Sequence, residues 1–315
     1  MTANSPSMDL KIVYCLTSSG GDLYEAMTRV SLATVRLTNP TARIEIACDQ
    51  QTHQALQASS SQLLREADAV HGFPTPDGPP TFRNRFVKTQ LRLLLSGPFL
   101  FLDSDTVVRK PLTPLLNLQA DIAAAPNHSA DTLAEQIWSE DQANLDTMGW
   151  QVREQYVNGG VIWYADTPAA HRFAEAWLRN WLANVECTGR YRDQTALNQS
   201  ISTTSCLRVE ILPHSFNMQY LCRLDCAKDA FIWHAHYTSY LPDRESEVFV
   251  QTVEYAKLHR SKHLSHSIIK LLVESATPNG KHYSKNAGSS LFWRAINTLK
   301  RKVQKSLHLS STQEK

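Results

Sequence analysis

The sequence predicts an α/β fold, and three observations carry that expectation. The first is the order of elements at the start of the chain. A short apolar run at residues 10–17 (LKIVYCLT) is followed by a small flexible loop, a stretch at helical spacing and an alternating run at 43–48 (RIEIAC). Strand, loop, helix and strand within about 40 residues form the opening unit of such folds. The second is the run at 99–108 (FLFLDSDTVV), four apolar residues that lead into acids. The third is a strand-like run at 157–164 (VNGGVIWY) that carries two glycines at its start.

Each element has a local reason. Leu23, Met27, Val30, Ala33 and Leu37 share one face of a helix over 22–38, and Asn39-Pro40 stops it because proline disfavours helical backbone at the residue before it. Residues 72–80 (GFPTPDGPP) read as a loop, and 83–95 as a helix broken by Gly97-Pro98. Residues 120–125 predict a short strand that ends at Pro126, and the polar stretch 128–155 an excursion from the core. Asp166 or Thr167 suits a helix N-cap with Pro168 in the first turn. Phe173, Trp177 and Trp181 then fall on one face and read as core. Residues 231–237 (FIWHAHY) form the last expected strand. The division expected is one α/β domain over residues 8–250 and a helical C-terminal extension over 251–315.

Composition narrows the function. Hydrophobic residues make up 42% of the 315 and charged residues 20%, as in a folded globular protein rather than a disordered one. A net charge of +2 argues against a nucleic-acid binder driven by bulk charge. The charge is uneven, with six basic side chains against one acid in residues 286–315. Within 291–307, Phe292, Ile296, Leu299, Val303 and Leu307 recur at helical spacing among basic residues. That pattern suits either a helix lying on anionic lipid or one docked on the domain. Six scattered cysteines without a CxxC pair, and a polar N-terminus without an apolar core, point to reduced, mostly buried thiols in a cytoplasmic protein. Peripheral attachment to the inner face of a membrane through 291–307 is compatible with that location.

The sharpest motif is Asp103-Ser104-Asp105. About one Asp-x-Asp triplet is expected by chance in such a chain, so its context carries the argument. Strand ends in open α/β sheets face the ligand crevice. Two adjacent carboxylates there are either a solvated acidic turn or a site for a hard cation such as Mg²⁺ or Mn²⁺. DSDTVV also fits the nucleophile motif of haloacid-dehalogenase-type phosphatases. The acid pair expected downstream in that superfamily occurs only as Glu140-Asp141, in helix-like sequence.

Several further motifs follow in a fixed order: Thr17 and Tyr24 after the first strand, Lys88 about one helix before the acids, and Ala124-Ala125-Pro126-Asn127. After these come Asn158-Gly159-Gly160-Val161, Asp193-Gln194 with Leu197-Asn198, Leu212-Pro213 followed by Asn217, and Ile232-Trp233-His234. With the DxD strand, the series resembles the GT-A glycosyltransferases of family 8, the type of glycogenin and of bacterial lipopolysaccharide glucosyl- and galactosyltransferases. The resemblance spans roughly residues 10–240. It implies a Rossmann-like mixed sheet flanked by helices and a transferase that moves a hexose from a UDP-sugar to a carbohydrate or lipid-linked glycan, with retention at the anomeric carbon. The product would belong to surface polysaccharide or lipopolysaccharide. A Mn²⁺ or Mg²⁺ ion would be held by Asp103, Asp105 and His234, with His236 as the alternative imidazole. Thr17, Tyr24, Lys88, Asp103, Ser104, Asn158, Gly159 and Gly160 would bind the donor, and Asp193 and Gln194 would serve catalysis by holding sugar hydroxyls. A helix-capping role is the other reading of Asp193. The sequence departs from the family after the histidine, where HAHYTSYLP lacks the usual Gly and Lys-Pro-Trp. Besides the phosphatase, a catalytically silent sugar-nucleotide binder fits the same motifs.

Overall fold

Lys11–Leu16 (β1) alternates between two buried faces, Ile12, Tyr14 and Leu16 on one and Val13 and Cys15 on the other. This period of two makes it a central strand. The structure is a computed structural model that describes residues 10–152, 154–219, 224–236, 247–275 and 278, without the side chains of 224–226. The expected tail helix at 291–307, Cys222 and the Cys226 side chain lie outside that description. Asp22 caps α1 (Leu23–Thr38) through its carboxylate, which accepts from the Glu25 N–H. There follow β2 (Arg43–Asp49), α2 (Gln50–Ala58), α3 (Leu63–Glu66) and β3 (Ala69–Phe73). The expected helix over 83–95 is two pieces, α4 (Pro80–Lys88) and α5 (Leu91–Leu94).

The run at 99–108 is not one strand. It divides at the acids into β4 (Phe99–Leu102) and β5 (Thr106–Val108). Between them the Thr106 hydroxyl donates to the Asp103 carbonyl at 2.8 Å, which closes a turn and carries the chain out of the first sheet. Next come β6 (Ile122–Pro126), α6 (Leu133–Gln136), α7 (Ser139–Met148), β7 (Val157–Tyr164), α8 (Pro168–Thr188) and α9 (Gln194–Thr203). The described chain finishes with β8 (Val209–Ile211), β9 (Ile232–His234), α10 (Val248–Leu258) and α11 (His266–Glu274).

Seven strands form one sheet in the order β3-β2-β1-β4-β7-β6-β8. Four of its pairings are parallel, and β7 runs antiparallel to both neighbours. Helices cover both faces, so the architecture is the mixed α/β GT-A sheet that the motifs implied. A second, two-stranded sheet pairs β5 with β9 and sets Thr106 opposite His234. It packs with α1, α10 and α11 around Met27, Val107, Trp233, Phe249 and Leu272. Among the described residues no helix is long and apolar enough to cross a membrane. Cys15 and Cys48 are buried and Cys187 and Cys206 exposed, all four as free thiols, so burial holds for half of the described cysteines.

The aromatic face of α8 is core, as its spacing predicts: Phe173, Trp177 and Trp181 are fully buried. Their polar edges are also used. The Trp177 Nε1–H donates to the Asp193 carbonyl at 3.2 Å and the Trp181 Nε1–H to the Tyr191 carbonyl at 3.1 Å, which anchors the loop before α9. Trp177→Ala should therefore lower stability by about 3–5 kcal/mol, the range for emptying a packed aromatic site. Urea unfolding checks this, and a loss below about 1 kcal/mol would contradict the packing role.

Candidate active site

Two strand pairings assemble the site. The β4–β7 ladder extends one step past Leu102, where the Asp103 N–H donates to the Gly160 carbonyl at 2.7 Å. The β5–β9 ladder likewise extends past Thr106, where the Ala235 N–H donates to the Asp105 carbonyl at 2.8 Å. The acids thus sit between glycines from β7 and a histidine from β9. His234 Nε2 lies 3.3 Å from Asp105 Oδ1 and 4.0 Å from Asp103 Oδ2. One ligand atom from each of the three residues falls within 4.8 Å of the others.

These side chains form part of the wall of a cleft of about 860 Å³. Gly160 faces it at the closest approach. A Cβ at that position would fall on the His234 ring and lie 2.9 Å from Asp103 Oδ2, so only glycine fits. Gly159 is held differently, with its N–H donated to Gln194 Oε1 at 3.1 Å. The Gln194 amide also donates to the Val157 carbonyl at 2.6 Å, so this side chain clasps β7 and presents its backbone to the cleft.

Lys88 is buried beside the acids, 3.1 Å from Asp103 Oδ1 and 3.4 Å from Asp193 Oδ2. Arg85, one turn earlier on α4, reaches Asp193 Oδ1 at 3.1 Å. The helix-capping alternative for Asp193 does not hold, since its carboxylate makes no cap bond and pairs with the two cations instead. Burial works to raise its pKa, but Arg85 and Lys88 outweigh burial and hold the group ionised below the usual carboxylate range. His234 shows the opposite contest. Burial pulls its pKa down, and the Asp105 and Asp103 carboxylates more than compensate, so that the net shift is upward.

The remaining expected donor residues spread along the same cleft. Thr17 and Tyr24 line its β1 end, where the Thr17 hydroxyl donates to Asp49 Oδ2 at 3.2 Å and Tyr24 is exposed. Ser104 accepts from the Thr28 hydroxyl at 2.8 Å. The Asn158 amide is engaged within the protein, where its Oδ1 accepts from the Gly160 N–H at 2.9 Å. The His236 ring stacks on His234 with centroids 4.2 Å apart, and the three-residue ligand set contains His234.

Sequence reasoning missed the other end of the cleft. His128 stacks on Trp138 with ring centroids 4.2 Å apart and planes 6° from parallel, and both line the wall. Burial first, and Arg192 second, push the His128 pKa down to about 4 and keep its ring neutral. Trp138 is 48% exposed. Arg85 was missed as well, although its place three residues before Lys88 on a helix was a usable signal.

Two carboxylate oxygens and an imidazole nitrogen form a hard, mixed donor set that suits Mn²⁺ or Mg²⁺. Around it, Lys88 and Arg85 supply two positive charges against the three carboxylates of Asp103, Asp105 and Asp193. These five groups therefore carry one net negative charge, which a bound divalent ion would reverse.

A family model for nucleotide-diphospho-sugar transferases matches residues 43–245. The chain belongs to the nucleotide-diphospho-sugar transferase family. That class defines a glycosyltransferase that uses a sugar-nucleotide donor, and the phosphatase alternative drops out. No curated protein sequence matches. Among solved structures, mouse xyloside xylosyltransferase 1 is similar at 14% identity and a TM-score of 0.47, over 74% of this chain and 99% of that one. The galactosyltransferase LgtC is similar at 15% identity and a TM-score of 0.47, over 92% and 96%. The glycosyltransferase GlyE of Streptococcus pneumoniae is similar at 15% and 0.49, over 83% of this chain and 62% of that one.

The raised pKa of His234 has a consequence in the cation-free protein. Its contribution to stability is fully present below the unfolded value of about 6.5 and is lost as the pH climbs through the folded value. The urea midpoint should fall across that window relative to His234→Asn, and Mn²⁺ affinity should climb over the same window as the proton leaves. A flat midpoint and a pH-independent affinity would rule out His234 as a ligand.

Proposed function

We propose that the protein transfers a hexose from a UDP-sugar to a carbohydrate or lipid-linked glycan, with Mn²⁺ or Mg²⁺ as cofactor. The observation that carries this reading is the convergence of Asp103, Asp105 and His234 on the cleft wall. A bound cation supplies positive charge to the diphosphate as it leaves. Lys88 and Arg85 keep further positive charge beside that position and hold Asp193 ionised. Gly159 and Gly160 admit the sugar against bare backbone, and Gln194 keeps that backbone in place. Retention at the anomeric carbon rests on the motif resemblance.

The sheet order supports an assignment of the two ends of the cleft. From β1 through β4 and β7 to β6 there are three strand steps, about 14 Å at the usual spacing. Thr17 and Tyr24 border the first strand and His128 and Trp138 follow the last. This span suits a nucleoside at the β1 end, the diphosphate at the acids, the hexose over the glycines, and the acceptor against the Trp138 indole.

A thermal-shift panel of nucleotide sugars with and without Mn²⁺ tests the donor. The expected result is stabilisation by UDP-sugars that needs the ion, together with slow UDP release that Asp105→Ala reduces by about 100-fold or more. Stabilisation without turnover would identify a silent binder, and release of phosphate from an aryl phosphate would overturn the reading. For the acceptor, Trp138→Ala should raise KM about tenfold, the size of one lost ring-stacking contact, and leave donor hydrolysis unchanged. An unchanged acceptor KM would remove Trp138 from that site.

A further inference from the structure

We propose that Asn217, Asn158 and Asn127 form a directional relay of buried amides that fixes the tautomer of His234, with the hydrogen on Nδ1 and the Nε2 lone pair directed at the cation site. The proposal rests on the cation reading above and adds positioning residues to it. His234 Nδ1 lies 3.0 Å from Asn217 Oδ1. Asn217 Nδ2 donates to Asn158 Oδ1 at 3.0 Å, and Asn158 Nδ2 donates to Asn127 Oδ1 at 3.0 Å. Asn127 Nδ2 ends the series by donating to the Gln136 carbonyl at 2.7 Å. All three asparagines are buried.

The direction follows from two groups that cannot be turned over. The Gly160 N–H can only donate, and it points at Asn158 from 2.9 Å. The Asn158 atom that receives it is therefore the oxygen. Asn217 meets that same oxygen, so it presents its NH₂ group there and its own oxygen to His234. An amide oxygen only accepts, which obliges Nδ1 to carry the hydrogen. At the far end the Gln136 carbonyl can only accept, and it fixes Asn127 in the matching sense. Reversing any one amide would set donor against donor or acceptor against acceptor between buried side chains. In the neutral ring Nε2 is thus the bare nitrogen, and it faces Asp105 Oδ1 at 3.3 Å. Outer-shell partners of this kind orient metal-binding histidines generally; here the partner is a relay anchored on the backbone of the same strand that carries Gly160.

The test does not depend on activity. In protein labelled with ¹⁵N-histidine and loaded with Mg²⁺, long-range ¹⁵N–¹H correlation should show His234, assigned by its loss in His234→Asn, with hydrogen on Nδ1. A hydrogen on Nε2 overturns the proposal. Mn²⁺ affinity, read from the EPR signal of the free ion, should weaken about 10–100-fold in Asn217→Ala and by less than about threefold in Asn127→Ala, which leaves the Gly160 anchor intact. Equal losses in both variants, or none in Asn217→Ala, would reduce the relay to packing and overturn it. Should Asn217→Ala fail to fold, the ¹⁵N measurement on the parent decides. A parent that binds no ion removes the cation reading alone. The relay is then judged in ion-free protein at alkaline pH, where Nδ1–H upholds it and Nε2–H overturns it.

Discussion

The structure turns on a repulsion that the fold imposes and leaves for a ligand to resolve. Asp103 follows the buried strand β4 and Asp105 precedes the buried strand β5, so the short turn between two fixed strands keeps the acids close together. The β5–β9 pairing then brings in an imidazole whose Nε2 faces both carboxylates. A proton on the imidazole, or a cation held between the carboxylates, lowers that repulsion. Lys88 offsets Asp103 alone among the three ligand residues, and it is shared with Asp193.

What surrounds the acids reads as support for that arrangement. Indole N–H groups on α8 hold the loop that delivers Asp193, and α4 delivers Lys88 and Arg85 on one face. The hydrophobic core and the reactive wall are therefore built from the same elements. Residues that look purely structural, such as Trp177, set where a charge sits, and residues that look chemical, such as Gln194, spend their polar atoms on the backbone.

Much of this was legible in the sequence, for physical reasons that differ from residue to residue. The main strands announced themselves through apolar runs, and α1 and α8 through helical spacing. Asp103 and Asp105 could be picked out because they close an apolar run, and His234 through the motif resemblance, with His236 beside it as the other imidazole. The break at Asp103 could not be read, since FLFLDSDTVV has strand character on both sides and only the Thr106 hydroxyl turn shows where the sheets part. The direction of the Asn217–Asn158–Asn127 relay was equally hidden, because it depends on a backbone N–H from β7. His128 and Trp138 lay in a polar stretch with no periodicity, and their pairing arises only once the loop after β6 folds back.

Gly160 gives the wall an asymmetry in what it tolerates. Most buried positions lose function by losing atoms, because a cavity opens or a partner is orphaned. Here the vulnerable direction is growth: the space beside the imidazole is already filled to the limit of a bare α-carbon, and one methyl group would overlap the His234 ring and crowd Asp103. A change at this one position would force the imidazole away from the acids while the sequence still spelled out both aspartates and the histidine.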